Sequence, residues 1–396
     1  MVLKQVADNP DLLRLMLADS GSVPEIYRTT NYWAYNSDKF ITELLEKGLK
    51  DFRRRRKSKL RSFGATDLSP EWMIDLRDRP PIFSVIDIVM NKLPFRLPLL
   101  TFLNQIIKRT ISLFPSYYQY VKNSPYLLSK IEGEKSGAQP VDEFEASLVG
   151  NPEEVIEING KVYTPSILNY YLRYAYCTRF INFNDISIIV ELGSGCGKQV
   201  EVIRKLYPEI CFFIFDIPPQ LYVCEQYLSS IFPESVVSYK QTRDMNIPQI
   251  EKGKIYIFGN WKFPIIENLN IDLFWNAASF QEMEPDVVAN YLKYVNTQAK
   301  YVYLYERMDG KELASELKGG GVLQKTTIKE YINGLNNFIL IDISRAIRPK
   351  YKFAVNTFFK KRRNSNTVKA YSKYPSVKMQ KAISTKNYRE SFWIHV

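Results

Sequence analysis

Histidine is almost missing from this 396-residue chain: the single one is His395, at the far end. Acid–base chemistry centred on imidazole, and metal sites built from several histidines, therefore have nothing to draw on. Cysteine is scarce too. Cys177, Cys196, Cys211 and Cys224 show no paired metal-ligand spacing, so neither a structural zinc site nor a disulfide framework is expected. No apolar run reaches the ~18 residues of a membrane span. The first residues, Met1 to Asp8, carry early charge and no apolar core, so no cleavable signal is expected. A reducing cytoplasm is the expectation that fits these absences.

Acidic residues are missing from one segment in particular. The chain carries a net charge of +12, and between Arg345 and Val396 fourteen Lys/Arg face only Glu390. That segment alone is +13, so the rest is nearly neutral. A second basic run, Arg53 to Lys57, has acids nearby. Solvated faces or tails are the favoured reading of both. Contact with an anionic membrane or a lipid-linked glycan is the functional one, and nucleic acid ranks behind it.

What the chain does have is a hydrophobic fraction of 45%, with 27 Tyr and 23 Phe. This is enough for one large domain and a smaller region. The most informative stretch is Ile188-Ile-Val-Glu-Leu-Gly-Ser-Gly-Cys-Gly-Lys-Gln199. A short apolar run reads as a strand buried on both faces. Gly193, Gly195 and Gly197 then allow positive φ and close approach of a ligand to backbone. Val200, Ile203 and Leu206 continue as one face of a helix, stopped by Pro208. The pattern is Gly-x-Gly-x-Gly, which is not the dinucleotide fingerprint. Gln199 after Gly197-Lys198 argues against a phosphate-loop NTPase. Cys196 reads as a small filler in the loop.

Along the chain, residues 1–30 read as a short helix and a loop, and 38–57 as a helix capped by Ser37. Prolines cut the apolar stretch 80–130 into pieces that suit a helical subdomain core, with an interfacial helix at Leu97–Phe114 as the alternative. Gly133–Pro140 is the best linker candidate. A helix precedes the first strand, around Ile167 to Tyr174. Strands follow at Phe212–Asp216, Val236–Tyr239 (as the third), Gly253–Phe258, Ile271–Asn276 and Tyr301–Tyr305, with helices at Gln220–Ile231 and after Pro285. Phe338–Ile343 and Tyr351–Val355 make a close final pair. This alternation argues for an α/β, doubly wound, mainly parallel sheet. The boundaries fall at 1–140 for a helical N-terminal region, 141–360 for the α/β domain and 361–396 for the basic tail.

Val190 to Gly197, followed by Phe212 to Pro219, resembles class I S-adenosylmethionine-dependent methyltransferases. Asp216-Ile-Pro-Pro219, Asn276 to Met283, Tyr32-Trp33 and Gly48 to Arg53 are similar to the bacterial putative sugar O-methyltransferase family. The resemblance implies a seven-stranded Rossmann-like sheet with S-adenosyl-L-methionine as cofactor. It implies that Asp216 accepts hydrogen bonds from the ribose hydroxyls, with Glu191, Gly193, Ser194, Gly195, Gly197, Ile217, Asp244, Met245 and Asn276 around the same cofactor. It also implies a sugar or glycan hydroxyl as acceptor. Removing that proton needs a base. With histidine confined to the tail, a carboxylate is expected: Glu282 first, then Glu284, Glu306 and Asp309. No metal is expected. An RNA methyltransferase and a non-catalytic scaffold that kept the fold are the rival readings.

Overall fold

The computed structural model describes residues 6–55, 58–60, 115–246, 250–317, 319–346 and 354–362. The proline-rich stretch up to residue 114 and the basic tail beyond 362 lie outside them.

One sheet organises the protein. Its strands in chain order are β3 (Ile188–Leu192), β4 (Cys211–Asp216), β5 (Val236–Val237), β6 (Ile255–Gly259), β7 (Ile271–Ala277), β8 (Ala299–Arg307), β9 (Phe338–Arg345) and β10 (Ala354–Lys361). A separate antiparallel hairpin, β1 (Ile156–Ile158) and β2 (Lys161–Tyr163), precedes them. The spatial order is β5-β6-β4-β3-β7-β8-β10-β9. Strands β3 to β8 run parallel, and β10 is antiparallel to both β8 and β9. The order reverses beside β3, so a crevice opens outside the carboxyl ends of β3 and β7. This is a doubly wound, Rossmann-like α/β fold with an antiparallel edge pair.

The sheet holds one strand more than the seven expected. The third position belongs to β6, whose five residues are all buried, while Val236–Val237 is a two-residue edge strand beyond it. Ile255, Ile257 and Phe258 sit under helices where a long apolar strand is favoured. The half-buried Val236 pair at the edge is blunted by its shortness.

Helices cover both faces. They are α4 (Pro165–Thr178), α5 (Lys198–Leu206), α6 (Pro218–Ile231), the short α7 (Tyr239–Thr242), α8 (Pro285–Gln298) and α9 (Ile328–Gly334). The N-terminal region contributes α1 (Pro10–Ser20), α2 (Asn31–Lys47) and α3 (Pro115–Ser136). The sheet's pleat divides the core. Ile189, Trp275 and Tyr303 face the cluster containing α4, α5 and α6, whereas Val190, Phe213 and Phe274 face the cluster containing α8 and α9.

Three local expectations change. Helix α2 begins at Asn31 and stops at Lys47, where Gly48 turns at φ 57°. Ser37 is therefore no cap: it lies mid-helix, and its hydroxyl donates to the Trp33 carbonyl at 2.7 Å. Gly133–Pro140 is no loose linker. Its first residues finish α3, and Tyr171 Oη donates to the Gln139 carbonyl at 2.7 Å while Gln139 N donates to Tyr174 Oη at 2.9 Å. Arg53 is not solvated. It is fully buried, and its guanidinium donates to the carbonyls of Ser147 and Val149 at 2.5 and 3.1 Å and to Tyr227 Oη at 3.2 Å. A basic run read on its own looks like a surface, and only the folded chain brings it carbonyl partners.

The described part of the N-terminal region shares the main core. Leu12, Leu13, Met16, Trp33 and Phe40 cluster with Tyr222 and Tyr227 of α6. Among the described residues, no helix is long and apolar enough to cross a membrane.

Candidate active site

The turn after β3 is shaped by glycine. Gly193, Gly195 and Gly197 have φ of 79°, 59° and 82°, in the left-handed region that other residues enter at a cost of about 1–2 kcal/mol. Gly193 also meets a close neighbour: a Cβ there would lie 2.3 Å from the Ser279 Cβ. The turn thus depends on the loop after β7, and Asn276 and Ser279 lock the two together. Asn276 Nδ2 donates to the Leu192 carbonyl at 2.9 Å and to Ser279 Oγ at 2.7 Å, while its Oδ1 accepts from Phe280 N at 3.2 Å. Ser279 Oγ donates to the same Leu192 carbonyl at 3.2 Å. Asn276 is fully buried in this work, so the structure gives it a bracing role at the strand ends.

Asp216 ends β4 beside the turn. Its Oδ2 accepts from Gly195 N at 3.0 Å and Ser194 Oγ at 3.5 Å, and its Oδ1 accepts from Ile217 N at 2.8 Å. Burial raises its carboxyl to about 7, opposed by the Ile217 and Gly195 amides and the Ser194 hydroxyl, with the nearby Glu282 charge adding to the rise. Glu191, on β3, is pushed up to about 8 by burial and by Asp216, against the pull of Arg173. One turn beyond Asp216, Gln220 is 2% exposed and neither its amide nitrogen nor its oxygen has a hydrogen-bond partner. A buried amide in that state costs about 1–3 kcal/mol. A polar ligand in the crevice would remove that cost, and nothing in the sequence pattern had singled out Gln220.

Glu282 follows on the loop after β7, in the short turn Phe280–Glu282. It is 5% exposed, and its carboxylate is bonded to Lys311 Nζ. Lys311 in turn sits 3.8 Å over the ring of Tyr32, from the first turn of α2. Burial alone would lower the Lys311 ammonium, but Glu282 and Tyr32 outweigh it and hold it above its ordinary value. Thr30 Oγ1 donates to the Glu282 carbonyl at 3.0 Å, and Asn31 Nδ2 donates to the carbonyls of Gly319 and Gly321 at 3.2 and 2.9 Å. The start of α2 therefore clasps both the Glu282 loop and the 311–321 loop. Lys311 and Tyr32 were not singled out as site residues in the sequence. They meet Glu282 from 29 and 250 residues away, a proximity that no local spacing encodes.

The remaining acids fall in different places. Glu306 ends β8 buried, with Oε2 accepting from Gln281 N at 3.1 Å. Burial lifts its carboxyl to about 8, against the loop amides and with the Glu282 charge adding. Asp309 is turned to the surface in an ion pair with Arg307 at 3.2 Å, apart from the buried carboxyls. Glu284 accepts from Leu323 N at 3.1 Å and braces the 311–323 loop. Asp244 and Met245 lie on the turn after α7, Asp244 exposed and Met245 half-buried against the second core. Cys196 is buried, as a filler would be. Among the described residues, no group of three His, Cys, Asp or Glu could hold a metal ion.

A family model for an O-methyltransferase domain matches residues 171–258, which span the turn, Asp216 and β6. No curated protein matches the chain. Among solved structures it is similar to the pyocyanin biosynthetic protein PhzM (13% identity, 50% of this chain and 57% of that one, TM-score 0.34). It is also similar to the mitomycin 7-O-methyltransferase MmcR (11% identity, 48% and 57%, TM-score 0.32). A third is human N-acetylserotonin methyltransferase in complex with its methyl donor (13% identity, 49% and 56%, TM-score 0.30). The chain thus spans little more than half the length of these proteins. Residues 171–258, which hold the glycine turn and Asp216, are thus the part of the chain that matches an O-methyltransferase domain.

Proposed function

We propose that the protein transfers a methyl group from S-adenosylmethionine to a hydroxyl of a sugar, in a surface polysaccharide or its precursor. The observation that carries the transfer is the meeting of three strand ends: the Gly193–Gly197 turn, Asp216, and Glu282 held by Lys311. Bound there, the cofactor supplies an electrophilic methyl on a sulfonium. The chain supplies the rest. The turn admits the donor close to backbone. Asp216 offers a carboxylate to a diol. Gln220 and Glu191 provide further buried polar groups. Glu282 takes the proton from the acceptor oxygen as the new bond forms, and Lys311 orients that carboxylate. Tyr32 closes the acceptor side and helps exclude water.

The sugar rests on the family resemblance of Asp216–Pro219, Asn276–Met283 and Tyr32-Trp33, now joined by the position of Tyr32 against Lys311 and Glu282. The test is transfer of labelled methyl from S-adenosylmethionine to nucleotide sugars, surface polysaccharide and RNA, followed by acid hydrolysis. Label recovered as an O-methyl sugar supports the proposal. Label recovered only in RNA, or nowhere, overturns it.

The Asp216 carboxyl gives a pH prediction. Its raised value of about 7 means that protons compete with a hydrogen-donating ligand at neutral pH. Affinity for S-adenosylhomocysteine should fall as pH drops below about 7, approaching tenfold per unit if one proton must leave. Calorimetry between pH 5.5 and 8.5 in buffers of different ionisation enthalpy checks both the slope and the proton release.

A further inference from the structure

The chain between α1 and α2 is tied to one loop after another along the carboxyl edge of the sheet. Asp19, in the last turn of α1, holds Arg243 in a two-pronged ion pair at 2.7 and 2.9 Å and accepts from Tyr239 Oη at 2.5 Å. Those partners lie just past β5, at one end of the strand order. Further on, the Tyr27 carbonyl accepts from Asn260 Nδ2 at 2.8 Å, directly after β6, and the Tyr27 ring meets Tyr291 of α8 edge-on with centroids 5.8 Å apart. Thr30 then holds the Glu282 carbonyl after β7, and Asn31 the Gly319 and Gly321 carbonyls after β8.

Between β6 and β7 stand β4 and β3. Asp216 ends the first of these and the glycine turn follows the second. Residues 27–31 therefore bridge the two strand ends that carry the site. The same stretch changes faces. Leu12, Leu13 and Met16 pack in the first core cluster, Val23 and Tyr27 in the second, and Trp33 and Phe40 in the first again. With its anchors on the loops after β5, β6, β7 and β8, the segment makes both crossings over the carboxyl edge, as a strap. The groups beneath are correspondingly hidden: Asp216 is 8% exposed and Glu282 5%.

This shape restricts the acceptor. A unit inside a polymer continues in two directions, so it needs a groove open at both ends with the base exposed along its floor. A unit with one attachment needs one opening, as a concave pocket provides. Lifting the strap to pass a polymer would break the Asp19, Tyr27, Thr30 and Asn31 anchors together. We propose that the site takes its acceptor end-on: a sugar with a single attachment, nucleotide-linked or at a chain terminus, and not a unit within a chain. This rests on the acceptor reading above and narrows it.

The test is transfer of labelled methyl by the full chain to nucleotide sugars and to surface polysaccharide from the source cell lacking this gene, the polysaccharide fractionated by length. Label per chain should stay constant as chains lengthen, and partial acid hydrolysis with mass spectrometry should place every methylated sugar at a terminus. Label confined to nucleotide sugars would equally support the proposal and would identify the free unit as the acceptor. Label that rises in proportion to chain length, or methylated units within chains, overturns it while leaving sugar O-methyl transfer intact. No label in any sugar removes the acceptor reading, and the end-on restriction with it. Thr30→Val and Asn31→Ala together release the strap from two loops, and should raise label on long chains relative to short ones severalfold. An unchanged ratio in a variant that still transfers would overturn the strap as the cause. The wild-type result stands whether or not that variant folds.

Discussion

Glu282→Gln should lower the methyl-transfer rate about 10²- to 10⁴-fold, the span typical of losing a positioned general base. The substitution keeps the shape of the side chain. It preserves the backbone bond from Thr30 Oγ1 to the residue 282 carbonyl at 3.0 Å, and so the clasp between α2 and the loop. What it removes is the charge that Lys311 Nζ bonds and the oxygen that would receive the acceptor's proton. Cofactor affinity should change by less than about threefold, because Glu282 acts on the acceptor and only through its field on Asp216. Single-turnover rates with saturating donor, set beside calorimetry with S-adenosylhomocysteine, separate the two effects. An unchanged rate would move the base to Glu306, the next buried carboxyl. A lost cofactor site would make Glu282 structural.

Arg53→Ala should cost about 3–5 kcal/mol of stability, the range found when one partner of a buried ion network is removed. Arg53 anchors more than one segment. It holds the Ser147 and Val149 carbonyls and Tyr227 Oη, and Tyr227 Oη donates in turn to Glu201 Oε2 at 2.5 Å. Glu201 also accepts from Ser147 N at 2.6 Å and Lys205 Nζ at 2.8 Å. Burial would raise the Glu201 carboxyl, but Lys205, Arg53 and the Tyr227 hydroxyl outweigh it and hold it below the ordinary carboxylate value. A carboxyl depressed in the folded state contributes stability that is present above its unfolded pKa and is lost as pH falls through the folded one. Wild type should therefore weaken in acid, and Arg53→Ala should weaken less steeply there, having already lost one of the cations responsible. Urea midpoints at pH 7 and pH 4 measure both differences. A midpoint unchanged at pH 7 would mean that the network contributes nothing net.

The glycine turn, Asp216 and the strand–helix alternation were legible in the sequence because each is encoded locally. Residues 188–199 carry their own strand, turn and helix pattern, and Phe212 to Asp216 repeats the strand. The hidden part was set by contacts between distant segments. Asn276 looked like a ligand contact because it ends a strand in the crevice, yet its amide is spent on Leu192, Ser279 and Phe280. Arg53 looked solvated because it stands among other cations. Lys311 carried no motif at all and Tyr32 only a place in the resemblance without a role, and their value comes from meeting Glu282 across the fold. Ser37 looked like a cap because helix starts are read from residue type, whereas α2 begins six residues earlier. The third strand was misplaced because Val236–Val237 is β-branched, while β6 won the position by burying five consecutive residues.

Everything proposed about transfer depends on the crevice binding S-adenosylmethionine through Asp216. The most direct measurement is calorimetric titration of the intact chain with S-adenosylhomocysteine, repeated on Asp216→Ala. The account predicts saturable one-to-one binding to wild type at pH 8, and a loss of about 10- to 100-fold on removal of the carboxylate, as for a charge-assisted hydrogen bond. No binding to wild type, or equal binding to both proteins, would contradict it.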